Sequence, residues 1–131
     1  MLHVTCALIE RNGRVLCAQR SAVMPLPLKW EFPGGKRETD ESLEQCVIRE
    51  IREELGLDIH IRNALPSNIH EYADGRKLCL HPFLCEITGG DLHLKEHDQV
   101  KWLAAGELPA LDWAEADLPV VQDYVNGRTA D

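Results

Sequence analysis

A chain of 131 residues with a formal net charge of -8 argues against binding long nucleic acid through a basic surface. That sign still allows a small anionic substrate held through bound cations. With 44% apolar and 27% charged residues, no repeats and no long apolar run, the composition excludes fibrous, disordered and membrane-spanning classes. One soluble domain over 1–131 is expected.

Residues 2–10 and 14–20 are β-rich runs around Asn12-Gly13, a strong two-residue hairpin signal. Pro25 and Pro27 break the pattern from Ser21 to Leu28, which predicts a surface loop, and Glu31 to Lys36 reads as a further turn-forming stretch. The clearest helix is predicted from about Asp40 to Leu55, with Thr39 or Asp40 as N-cap and Gly56 as stop. Strands are predicted at 59–61, 67–72, 77–87 and 99–103, with turns at 73–75 and 88–91, a helical turn at 105–109 and a last helix over 116–126. Strands on both sides of one strong helix predict an α/β (α+β) architecture, a mixed sheet flanked by helices.

Five cysteines (Cys6, Cys17, Cys46, Cys79 and Cys85) cannot all pair and form no CxxC knuckle. They read as small apolar fillers in a reduced compartment. The start Met1-Leu2-His3-Val4-Thr5-Cys6 lacks the basic and apolar regions of a signal peptide, so a cytoplasmic location is expected. His70, His81, His93 and His97 show no zinc-ligand spacing and read as surface or hydrogen-bonded histidines.

On the predicted helix, Leu43, Val47, Ile51 and Leu55 recur every four residues and form a stripe that packs on the sheet. Glu50, Glu53 and Glu54 stand at i, i+3 and i+4 beside that stripe. Such acids usually form a solvated face. Here they repel one another near the helix C-terminus, where anions are disfavoured, although Arg49 and Arg52 offset part of this. A hard cation such as Mg²⁺, which prefers oxygen ligands, would turn the arrangement into a binding site.

The stretch from Gly35 to Leu57 fills every fixed position of G-x5-E-x7-R-E-U-x-E-E-x-G-U, with U aliphatic: Gly35, Glu41, Arg49, Glu50, Ile51, Glu53, Glu54, Gly56 and Leu57. It resembles the Nudix box. The resemblance implies an α/β/α sandwich and a loop-helix-loop that holds Mg²⁺ or Mn²⁺ against a pyrophosphate. Carried onto this chain, it implies that Glu50, Glu53, Glu54 and the carbonyl of Gly34 bind metal and that Glu53 or Glu50 is the catalytic base. Arg49 would orient the acids, and Glu41 would support them from the first turn. The chemistry agrees: cleaving a phosphoanhydride needs charge neutralised on several oxygens and a water oriented or deprotonated.

Beyond the box the chain resembles the MutT-like subgroup, and within it the CTP pyrophosphohydrolase type. The matching segments are Ala18-Gln19-Arg20, Lys29 to Gly35, Glu96 to Trp102 and Ala116-Asp117-Leu118-Pro119. The resemblance implies that Arg20 lies near substrate phosphates and that Glu96 adds an acid near the metals. It places Glu31, Phe32 and Asp117 toward the nucleotide. Phe32 would stack on the base or belong to the core; Asp117 would read the base or cap a helix. Asp117 stands where MutT uses an asparagine for an oxidised guanine. An ionised aspartate only accepts, which suits the 4-amino donor of cytosine. The expected substrate is therefore a small nucleotide, (d)CTP or a modified cytosine nucleotide, with oxidised purine triphosphates as the alternative. A non-catalytic sensing module on the same fold would be expected to lose box acids, and none is lost here.

Overall fold

The computed structural model describes residues 1–129. β1 (Leu2–Arg11) and β2 (Arg14–Gln19) form the expected hairpin. Asn12 and Gly13 both adopt left-handed backbone, φ 54° and 75°, the turn geometry whose twist matches its flanking strands. The other elements, in order, are β3 (Trp30–Glu31), β4 (Gly34–Lys36), α1 (Leu43–Leu55), β5 (Leu57–Ala64), β6 (Asn68–Glu71), β7 (Lys77–Gly90) and β8 (Gln99–Leu103). Short 3₁₀ helices at Ala105–Ala110 and Glu115–Asp117 precede α2 (Leu118–Thr129).

The strands form one mixed sheet of order β3-β2-β1-β7-β5, with β4 also on β1, β6 on β7 and β8 on β2. The β1–β7 pair is parallel, from Leu2 opposite Leu78 to Glu10 opposite Glu86. Alternate residues serve opposite faces, as a pleated strand requires. Ala7, Ile9, Leu16, Phe83 and Cys85 meet Val47, Ile51 and Leu55 of α1. Cys6, Leu8, Val15, Cys17, Leu78 and Leu80 meet Leu108, Trp113 and the α2 residues Val120, Val121 and Tyr124. The result is the α/β/α sandwich expected from the sequence.

Three boundaries differ from expectation. α1 starts after Ser42, whose hydroxyl accepts from the N–H of Gln45 while the Gln45 side chain accepts from the N–H of Ser42. This reciprocal cap displaces Thr39 and Asp40 as candidates. The turn-forming stretch expected from Glu31 to Lys36 instead contributes Glu31 to β3 and Gly34 to Lys36 to β4, which pair with β2 and β1. The turn expected at 88–91 is absorbed into β7, because Leu57 and Asp58 pair with Gly90 and Gly89.

All five cysteines are buried and unpaired. Burial pushes the thiols of Cys17 and Cys85 up to about 12, so both stay protonated and inert. Among the described residues no helix is long and apolar enough to cross a membrane.

Candidate active site

Helix α1 docks through Val47, Ile51 and Leu55, all fully buried, and this fixes where its acids project. Arg49 organises them. Its Nε donates to Glu41 Oε2 at 2.5 Å and its Nη2 to Glu41 Oε1 at 2.9 Å. Its Nη1 reaches Glu50 Oε1 at 2.9 Å and Glu53 Oε2 at 3.1 Å, and Nη2 also reaches the carbonyl of Lys36 at 3.2 Å. One guanidinium thus ties the loop before the helix to acids about two and three turns along it, in fork geometry that lysine cannot supply. The same contacts hold the Glu41 carboxyl down at about 2.

Glycines let the loop come close. A Cβ at Gly34 would lie 2.0 Å from the carbonyl oxygen of Thr5, and one at Gly35 would lie 2.3 Å from Cδ of Glu50. Glu50 therefore rests against bare backbone. Beneath, Thr5 Oγ1 donates to the carbonyl of Gly35 at 3.3 Å and lies 3.2 Å from the Cys46 thiol.

Glu54 has the opposite environment from Glu41. One of its oxygens, Oε2, is buried and meets no hydrogen-bond partner among the described residues. Burial first, then the nearby carboxylates of Glu50, Glu31 and Glu96, push its carboxyl up to about 8. Glu96 reaches this neighbourhood because the loop after β7 is bound to the end of α1: His93 N–H donates to Leu55 O at 3.0 Å and Lys95 N–H to Glu54 O at 3.2 Å.

A second network leads away from the helix. Arg20 Nη1 donates to Glu31 Oε1 at 2.7 Å, and His97 Nε2 lies 2.9 Å from Glu31 Oε2. The backbone around Trp30 pairs with residues 112–114, through Trp30 N–H to Asp112 O at 2.9 Å and Ala114 N–H to Trp30 O at 2.8 Å. That pairing delivers Asp117, 7% exposed, onto the chain after β3, where its Oδ2 accepts from Phe32 N–H at 2.9 Å. Burial is the main cause that pushes the Asp117 carboxyl up to about 8.

The Nudix domain profile matches residues 1–124. The chain is 37% identical to a CTP pyrophosphohydrolase of Escherichia coli over 99% of this chain and 96% of the relative. It is 33% identical to an 8-oxo-dGTP diphosphatase of Escherichia coli, over 92% and 93% of the two chains. The solution structure of the Escherichia coli ORF135 protein superposes with a TM-score of 0.89 at 37% identity, covering 99% of this chain and 92% of that one.

The chain belongs to the Nudix hydrolase family.

It is accordingly a hydrolase of phosphoanhydrides, in a family whose members generally use a divalent metal. The residues of this Nudix site fit such an ion. A cation among the carboxylates would give Glu54 Oε2 the partner that no donor among the described residues supplies, and would offset the mutual repulsion of Glu50, Glu54, Glu31 and Glu96.

The sequence-derived candidates fall into two groups. Arg49, Glu50, Glu53 and Glu54 converge at the helix, with Gly34 and Glu96 beside them. Arg20, Glu31 and Asp117 line the path from β2 to α2. Phe32 does not present its ring there: it is 3% exposed and packs on Trp113, centroids 4.8 Å apart. What Phe32 offers the site is its backbone N–H. Of the histidines read as surface or hydrogen-bonded, His97 is buried and bonded, to a residue 66 positions away. Its partner Glu31 is set by the fold and has no signal in the spacing of the two residues.

Proposed function

We propose that the chain is a nucleoside triphosphate pyrophosphohydrolase, working as one domain, that uses Mg²⁺ (or Mn²⁺) to release a nucleoside monophosphate and pyrophosphate. The observation that carries this reading is the carboxylate cluster around Arg49 with its orphaned Glu54 oxygen. Glu50, Glu54, Glu96 and the Gly34 carbonyl would hold the metal, which when bound neutralises phosphate charge and lowers the pKa of a water. Glu53 is more exposed than Glu50, its side chain 54% exposed against 15%. It is therefore better placed than Glu50 to take a proton from water. Arg49 keeps both acids in position, and Arg20 offers a guanidinium toward the phosphates.

The base reader in this proposal is Asp117, anchored by Phe32 N–H. In its ionised form it accepts the 4-amino group of cytosine. That supports (d)CTP or a modified cytosine nucleotide, as does the 37% likeness to the CTP pyrophosphohydrolase. One observation favours the alternative, an 8-oxo-dGTP-type substrate. A carboxyl pushed up to about 8 is largely neutral at pH 7 and can donate as well as accept, like the asparagine amide of MutT. The test is a panel of CTP, dCTP, 5-substituted dCTP, UTP and 8-oxo-dGTP with Mg²⁺, detecting pyrophosphate and phosphate separately. Release of pyrophosphate with cytosine nucleotides leading in kcat/KM supports the reading. Leadership by 8-oxo-dGTP transfers it to the alternative, and phosphate as the first product contradicts the reaction itself.

A further inference from the structure

On the parallel pair β1–β7, His3 lies opposite Cys79 and Thr5 opposite His81. His3, Cys79 and His81 therefore occupy the same face of adjacent strands, although 76 residues of sequence separate the first two. His3 Nδ1 is 3.0 Å from His81 Nε2, and the rings stack with centroids 5.2 Å apart. The Cys79 sulfur and the two ring nitrogens all lie within 4.8 Å of one another. Cys79 is buried while both histidines are half-buried, so the cluster is sheltered but reachable.

We propose that His3, Cys79 and His81 form a second metal site, separate from the carboxylate cluster, that takes one Zn²⁺ or a chemically similar ion with its fourth position open. The donor set decides the class of ion. One thiolate and two imidazoles favour Zn²⁺, whereas Mg²⁺ requires oxygen ligands. With Zn–N near 2.0–2.1 Å, tetrahedral geometry puts the two nitrogens about 3.3–3.4 Å apart, so the observed pair needs to open only by a few tenths of an ångström. The far nitrogen of His81, Nδ1, lies 2.9 Å from Ser67 Oγ. That outer hydrogen bond is the kind that fixes the tautomer and orientation of a ligating imidazole. Arg37, whose N–H donates to His3 O at 3.0 Å, brings an opposing positive charge toward His81. A metal-bound thiolate at Cys79 carries the charge to balance it. An ion here would clamp the start of β1 to β7, next to the Val4–Lys36 pairing that leads into the Nudix loop.

The experiment uses untagged, reduced, chelator-treated protein titrated with Co²⁺ in excess Mg²⁺, which keeps the carboxylate cluster occupied. The expected result is a single tetrahedral Co²⁺ per chain with a thiolate-to-cobalt charge-transfer band, displaced by Zn²⁺. Cys79→Ser should lose the band, and His3→Gln should weaken binding by at least about tenfold. Glu54→Gln, in the carboxylate cluster, should keep the band. Circular dichroism verifies folding of each variant, and His3→Gln carries the test should Cys79→Ser fail to fold. Absence of the band from folded wild-type protein at saturating Co²⁺, or its survival in Cys79→Ser, would overturn the proposal and leave a hydrogen-bonded imidazole pair.

Discussion

A Cβ at Gly35 would press on Cδ and both oxygens of Glu50, at 2.3, 2.5 and 2.7 Å, and the far end of a glutamate can swing away where backbone cannot. Gly35→Ala is therefore expected to leave folding almost intact while displacing one carboxylate, raising the Mg²⁺ concentration for half-maximal rate by about ten- to a hundredfold. An unchanged metal requirement would mean that Glu50 does not share the metal. Asp117 allows a sharper test because its two protonation states read bases differently. When ionised it favours cytosine over uracil, whose 4-oxo group would face a carboxylate; when neutral it can donate to that oxygen and loses the preference. With the carboxyl pushed up to about 8 by burial, the ratio of kcat/KM for CTP over UTP should climb between pH 6 and 9. About tenfold to a few hundredfold is expected at the alkaline end. Asp117→Asn should give a small, pH-independent ratio. A wild-type ratio flat with pH would leave Asp117 as an anchor for Phe32 alone.

At the scale of elements, α1 was the most legible part of the chain and its start the least legible part of α1. The four-residue recurrence of Leu43, Val47, Ile51 and Leu55 specifies the buried face, and the acids follow from it. Thr39, Asp40 and Ser42 are all good caps by residue type; the partner Gln45 decides for Ser42, while Asp40 sits in left-handed backbone at φ 66°. Ser42→Ala should cost about 1 kcal/mol in chemical denaturation, and Ile51→Ala, from a fully buried position, about 2–5 kcal/mol. Equal effects from the two would contradict the packing described. The short strands β3 and β4 were illegible because runs of two and three residues, the second mostly glycine, carry no alternation to detect. Their pairing comes from β2 and β1, not from their own sequence. The same holds for contacts that sheet register creates at a distance: Phe32 with Asp117, Glu31 with His97, and His3 with Cys79 and His81. No linear spacing encodes them. The resemblance of isolated segments implied that Glu31 and Asp117 face the nucleotide, but carried nothing of their bonds to His97 and to Phe32.

For the whole molecule, the site has a thermodynamic signature. Glu54 and Asp117 hold their protons in the folded protein up to about 8, while the unfolded chain releases them above the usual carboxylate range. The unfolded state then binds fewer protons, so stability of the metal-free protein falls as pH rises from about 5 to 8. Glu41, held down at about 2, acts in another window: its contribution is present above its ordinary value and lost as pH falls toward 2. Melting of the chelated protein should therefore be highest near pH 5, and Mg²⁺ should raise Tm most at the alkaline end, where the metal no longer competes with protons. In the proposed reaction the helix carboxylates are the seat of metal-dependent cleavage. The measurement that tests it most directly is pyrophosphate release from CTP at saturating Mg²⁺ by wild type, Glu53→Gln and Glu54→Gln, alongside the Tm of each metal-free protein. The predicted result is a loss of about 10²–10⁴-fold in both variants, with Glu54→Gln at least as stable as wild type without metal. Full turnover by both variants would contradict it.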